Sequence, residues 1–131
     1  MTGEVVFLEA TDSVMEAERV FSNHHLRHAP VVSDGTLVGM LSLMDLQKLP
    51  AFDFFKTEEA ERQQIILREM PVRRIMSNDP VSVQQTSTVR EVAETLADNE
   101  FHALPVMDGE QVVGIISSTD LMRFLAEHIQ D

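Results

Sequence analysis

The chain has 131 residues, enough to bury a core, and its 44% hydrophobic content argues against disorder. It contains no cysteine, which excludes a disulfide framework, a zinc–thiolate site and a cysteine nucleophile. Ten Lys/Arg against 22 Asp/Glu leave a net charge of −12, a field that repels nucleic acid and opposes any polyanionic ligand lacking local basic groups.

From the N-terminus, Val5-Val6-Phe7-Leu8 predicts a strand. Ser13-x-x-Glu16 is a capping box, and Val14, Ala17, Val20 and Phe21 behind it form one apolar helical face. Pro30-Val31-Val32 predicts a strand with proline at its entry, and Asp34-Gly35 a hairpin turn into Leu37–Leu41. Leu49-Pro50-Ala51 breaks this unit, and Thr57-Glu58-Glu59 starts a linker helix that runs to Arg68 or Glu69, before Pro71. Its Ile65, Ile66 and Leu67 are expected to pack on the module or on a partner. Val81-Ser82-Val83 then predicts a strand, and Thr88-x-x-Glu91 caps a helix whose apolar face is Val89, Val92, Ala93 and Leu96. Pro105-Val106-Met107, an Asp108-Gly109 turn and Val112–Ile116 give a second hairpin. A last helix carries Leu121, Phe124, Leu125 and Ile129.

These elements occur twice in one order. Shifting the sequence by 75 residues lays Thr11 on Thr86, Val14 on Val89 and Glu16 on Glu91. The same shift lays Pro30-Val31 on Pro105-Val106, Val38-Gly39 on Val113-Gly114, Ser42 on Ser117 and Asp45-Leu46 on Asp120-Leu121. The chain is a tandem duplication. The expected class is α/β (α+β): two βαββα repeats, residues 1–49 and 72–131, joined by a linker over 50–71. Neither sheet can bury itself alone, so the repeats are expected to pack face to face about a pseudo-two-fold axis.

The most informative strings are Gly39-Met40-Leu41-Ser42-Leu43-Met44-Asp45 and Gly114-Ile115-Ile116-Ser117-Ser118-Thr119-Asp120. In each, a strand ends at a serine and a helix opens with an aspartate in its first turn. An ionised carboxylate there can accept both hydrogen bonds of a ribose diol. Serine and aspartate at a helix start are also ordinary caps worth ~1 kcal/mol, and a duplication would preserve a cap equally well. No nucleophile–base pair and no phosphate-cradling glycine loop is present, so no catalytic constellation stands out. A metal site on His24, His25 and His28 would need three ligands in matched geometry, and surface histidines at a helix end are the plainer reading. Phe52-Asp53-Phe54-Phe55 and the eight methionines read as core or interface.

The combined pattern resembles the cystathionine β-synthase (CBS) domain, whose tandem pairs are called Bateman modules. The residues that carry it are Ile75-Met76-Ser77 with Pro80-Val81, Leu104-Pro105-Val106, Gly114-Ile115-Ile116-Ser117 and Thr119-Asp120-Leu121. In copy one they are Ala29-Pro30-Val31, Gly39-Met40-Leu41-Ser42 and Asp45-Leu46. The resemblance implies a non-enzymatic regulatory module that binds an adenine nucleotide (AMP, ADP or ATP, or S-adenosylmethionine) between the copies. No cofactor is required. It implies ribose contacts from Asp45 and Asp120, ribose or phosphate contacts from Thr119, Ser42 and Ser117, and adenine contacts from Ser77, Pro80 and Val81. Phosphate contacts map to Arg27, His28 and His102, with Ala103 standing where copy one has His28. It further implies a homodimer and a fused or separate effector protein.

Met44 replaces the hydroxyl that Thr119 supplies, and Met1 aligns with Met76, so no counterpart of Val72-Arg73-Arg74-Ile75 precedes copy one here: either the chain is cut from something longer or its first site is incomplete. The Asp120 site is therefore expected to be the stronger. The acidic charge favours AMP over ATP. No apolar run reaches the ~18 residues of a membrane span, and Met1-Thr2-Gly3-Glu4 lacks a signal peptide's basic start, so the expected location is cytoplasmic. The alternatives are a ligand-free interaction or dimerisation module and a metal-responsive one.

Overall fold

The computed structural model describes residues 5–49, 60–78, 80–99 and 102–129. The chain divides into two compact units, Val6–Asp79 and Pro80–Asp131, the second also taking Met1–Val5.

In the first unit, β1 (Leu8–Glu9), α1 (Val14–His24), β2 (His28–Ser33), β3 (Thr36–Ser42) and α2 (Leu43–Gln47) follow the predicted order. After them come α3 (Ala60–Glu69), a single 3₁₀ turn at Val72–Arg74, and β4 (Ser77–Asn78). The sheet order is β1-β2-β3-β4, with β1 parallel to β2 and the other pairs antiparallel. Ser13 caps α1 as expected, its Oγ accepting the Glu16 N–H at 3.0 Å. Val14, Ala17 and Phe21 face a core that also holds Leu8, Ala29, Val31, Leu41, Leu46, Leu67 and Val72. Of the three apolar residues of α3 predicted to pack on the module or on a partner, Leu67 is buried, while Ile65 and Ile66 are exposed.

In the second unit, β5 (Val83–Gln84), α4 (Val89–Asn99), β6 (Ala103–Asp108), β7 (Gln111–Ser117) and α5 (Ser118–His128) repeat the pattern, with sheet order β5-β6-β7. Thr88 Oγ1 accepts the Glu91 N–H at 3.1 Å, the second predicted helix start. The core here is smaller: Val83, Val92, Leu96, Leu104 and Val106.

Several expectations shift. Residues 5–7 take no regular structure, so the first strand is Leu8–Glu9 alone, and likewise the strand predicted over Val81–Val83 is Val83–Gln84. Pro30 is the third residue of its strand rather than the first. It is tolerated because β1 pairs only from Val31 onward, so β2 behaves as an edge at the proline; Pro105 repeats this, with β5 pairing from Val106. The second hairpin turns on Gly109-Glu110, one residue past the predicted Asp108-Gly109, because Asp108 pairs with Gln111. Only Gly109 takes positive φ there, whereas Asp34 and Gly35 both do in the first hairpin. Val89 is exposed at the start of α4 instead of joining its buried face. Phe52–Phe55 and Thr57–Glu59 lie outside the described residues.

The predicted linker does not stand apart from copy one. Leu67 enters its core, Val14 N–H donates to the Met70 carbonyl at 2.8 Å, and Val72 N–H donates to Asp12 at 2.8 Å. Beyond this seam, β4 lies on β3 with Ser77 opposite Met40 and Asn78 opposite Gly39. Gly39 is required there: a Cβ would meet Met76 Sδ and come within 2.7 Å of the Ser77 carbonyl oxygen.

Candidate functional site

Each unit builds one half-site where its return strand runs into a helix. In the first, Ser42 caps α2: its N–H donates to Asp45 Oδ2 at 3.0 Å, and its Oγ accepts the Asp45 N–H at 3.1 Å. In the second, Ser117 caps α5 in the same way, at 2.9 and 3.0 Å to Asp120. Both are complete capping boxes, so the structural role that the spacing allowed is filled in both copies. The box occupies one oxygen of each carboxylate. Among the described residues nothing hydrogen-bonds Oδ1 of either Asp45 or Asp120, and a carboxylate oxygen can accept hydroxyl donors. Both aspartates are partly buried, so the free oxygen is neither sealed in a core nor fully solvated.

Strand register decides what stands beside each box. His28 pairs with Ser42, and Leu43 N–H donates to the Arg27 carbonyl at 2.8 Å. Directly paired residues of an antiparallel ladder share a face, and so do residues two apart on one strand. His28, Met40, Ser42 and Ser77 therefore lie on one face of the first sheet, opposite the face through which Ala29, Val31 and Leu41 enter the core. In the second unit Ala103 pairs with Ser117, and Ser118 N–H donates to the His102 carbonyl at 2.9 Å. The equivalence of the two sites thus extends to the backbone.

The structure divides the adenine-contact residues that the resemblance implies. Ser77 lies in the first unit, two residues along the sheet face from Ser42. Pro80 and Val81 lie in the second, where Val81 packs against the core. Strand exchange of this kind leaves one trace in the sequence, the glycine at 39 that the crossing backbone demands. Met44 and Thr119 are both exposed, as are Arg27 and His102, whereas His28 is partly covered and Ala103 buried. His24 ends α1, His25 follows in a left-handed cap and His28 opens β2, so no helical face unites them. Among the described residues no group of three or more His, Asp or Glu is placed to hold a metal ion.

A family model for the CBS domain matches residues 1–51 and 72–127. The chain belongs to the CBS domain family. Its matched segments are the two repeats, as in the tandem CBS pairs among solved structures. The CBS domain of a CBS domain-containing membrane protein from Sphaerobacter thermophilus superposes with a TM-score of 0.80 at 22% identity, covering 93% of this chain and 82% of that one. The CBS domain pair of protein MJ0100, in complex with 5′-methylthioadenosine and S-adenosyl-L-methionine, gives a TM-score of 0.74 at 25% identity, covering 95% and 93%. CBSX2 in complex with AMP gives 0.72 at 24%, covering 94% and 88%.

Among curated relatives, the uncharacterized protein MJ1225 of Methanocaldococcus jannaschii is 25% identical over 96% of this chain. A homoserine O-acetyltransferase of Methanocorpusculum labreanum is 30% identical over 92%. This chain spans 45% of the first and 22% of the second, so the CBS pair is a part of each of those proteins. No helix among the described residues is long and apolar enough to cross a membrane.

Proposed function

We propose that this CBS pair is a non-catalytic regulatory module that binds an adenine nucleotide or a related adenosine derivative through Asp45 and Asp120. The observation that carries this reading is the half-used carboxylate. In both copies the capping box holds the aspartate rigidly by Oδ2 and leaves Oδ1 open, where a ribose diol can donate to it. A residue needed only as a cap would serve as well fully solvated. The complexes of MJ0100 and CBSX2 support adenosine compounds as the ligand class. Ser42, Ser117 and Thr119 supply hydroxyls beside the sugar, Ser77, Pro80 and Val81 the wall against the base, and Arg27, His28 and His102 the groups near a phosphate, with Ala103 leaving room in copy two. Binding would act by favouring one packing of the module over another and passing that preference to an attached or separate effector.

Thermal unfolding with AMP, ADP, ATP, adenosine and S-adenosylmethionine tests this. A rise in Tm with at least one of them, lost in the Asp45→Ala/Asp120→Ala double variant, is expected. A wild-type protein that responds to none overturns the reading.

One observation favours a second role. α5 buries none of its residues, and Met122, Phe124, Leu125 and Ile129 are all exposed on or just after it. An apolar face of this size on an 11-residue helix suits self-association, and a homodimer built on α5 is the corresponding proposal. Cytoplasmic residence fits both roles.

A further inference from the structure

The chain has no cysteine, so the thioethers of its eight methionines are the only sulfur that an oxidant can reach. Where the fold puts them decides what their oxidation does. Met107 is buried, and Met15, Met70 and Met76 pack against the first core. Two are open to solvent, Met44 and Met122, each 61% exposed. Met122 belongs to α5, whereas Met44 stands in the first turn of α2, between Ser42 and Asp45.

A second thioether lies on the same side of the first sheet. Met40 is half-buried on the face of β3 that carries Ser42, opposite Ser77 and away from the core. In sequence, Met40 and Met44 bracket Ser42, the residue that caps α2 and holds Asp45 by Oδ2. The equivalent positions of the second copy are Ile115 and Thr119, which carry no sulfur, around a box of the same geometry. Both copies keep the carboxylate, and only the first has oxidisable side chains at these positions.

We propose that Met44, together with Met40, makes the Asp45 half-site sensitive to peroxide: oxidation of the thioether to the sulfoxide weakens ligand binding there and leaves the Asp120 half-site unaffected. This rests on the nucleotide-binding reading above and adds a regulation to it. A sulfur lone pair attacks one peroxide oxygen and the O–O bond breaks. The sulfur is oxidised by two electrons, the peroxide is reduced, and its second oxygen leaves as water. A flexible apolar side chain becomes a polar one with partial negative charge on the new oxygen. Next to Asp45 that oxygen adds to the negative potential of the carboxylate and opposes an anionic ligand. At Met40 it puts a polar atom into the sheet face against which a base would lie. Exposure sets the order, Met44 first and the buried Met107 last. A thiol-dependent sulfoxide reductase reverses the step: two thiols close to a disulfide and the oxygen leaves as water, so the change is a switch.

Treatment with hydrogen peroxide, followed by peptide mass spectrometry and by titration calorimetry with AMP and, separately, with adenosine, tests this. The proteins are the wild type, Met40→Leu/Met44→Leu, Met122→Leu and Asp45→Asn, whose asparagine keeps an oxygen for the capping box. The quantity read is the ratio of affinity after treatment to affinity before it, so each variant's own affinity drops out. Sulfoxide is expected at Met44 ahead of Met107. Affinity should fall about fivefold or more in the wild type and in Met122→Leu, at unchanged Tm, and return after treatment with sulfoxide reductases. Met40→Leu/Met44→Leu should show no fall, and neither should Asp45→Asn, whose binding is left to the Asp120 half-site. Sulfoxide at Met44 with undiminished wild-type affinity overturns the proposal while leaving nucleotide binding intact. An equal fall in Met40→Leu/Met44→Leu, a fall that persists in Asp45→Asn, or one that comes with a lowered Tm does the same. Absence of heat with both ligands in the untreated wild type overturns both readings.

Discussion

The two copies carry the same motif in the same register, yet they are supported differently. Copy one has a four-stranded sheet, a short α2 of 5 residues, and α3 packed on α1. Among the described residues copy two has three strands, a small core, and an α5 of 11 residues that is buried nowhere along its length. The linker helix α3 and the opening of the second repeat, the 3₁₀ turn and β4, make the difference, since all of them serve copy one. Duplication reproduced the local chemistry of Ser42–Asp45 at Ser117–Asp120, but the surroundings of each box come from elsewhere in the chain.

That contrast can be broken most severely at its better-supported end. Leu41 is wholly buried in the first core, and Leu41→Ala is expected to cost about 2–5 kcal/mol in urea unfolding, depending on how far the site collapses. Next, Gly39→Val forces a branched side chain against the Ser77 carbonyl. It should cost about 1–3 kcal/mol and raise amide exchange in β4 before other strands. Ser42→Ala and Ser117→Ala should each cost about 1 kcal/mol with unequal local effects: the 5-residue α2 melts, while α5 frays only at its first turn, as chemical shifts would show. Smallest in stability is Met122→Glu on α5, expected within about 0.5 kcal/mol by denaturation of dilute protein. Its effect should appear in sedimentation, as loss of any dimer held by the exposed face of α5. An unchanged dimer would place self-association elsewhere.

Much of the local architecture was legible because local signals specify it. Ser13 and Thr88 marked helix starts that the hydrogen bonds bear out, and the apolar runs Pro30–Val32 and Pro105–Met107, each leading to a glycine turn, marked strands. The 75-residue shift aligned Ser42–Asp45 with Ser117–Asp120, the two strings that form capping boxes. What escaped was set by long-range pairing. The burial of Leu67 rather than Ile65 or Ile66 depends on where α1 lies, and the place of Ser77 depends on a strand pairing whose partner is 37 residues away at Met40. The second hairpin slipped by one residue because both Asp108-Gly109 and Gly109-Glu110 satisfy the glycine requirement of a tight turn, and only the partner of Asp108 decides between them.

The seam at Asp12–Val14 and the pairing of β4 carry a practical corollary for dissecting this protein. The repeat, as a stretch of copied sequence, and the folding unit, as a stretch of mutually supporting backbone, are out of phase. A fragment ending at residue 71 would strip the edge from its own sheet, and its complement would begin with a strand cut off from its ladder. Val6–Asp79 is the stretch that keeps α3, the 3₁₀ turn and β4 with the sheet they complete, and it is the fragment to examine separately for helix content and ligand response.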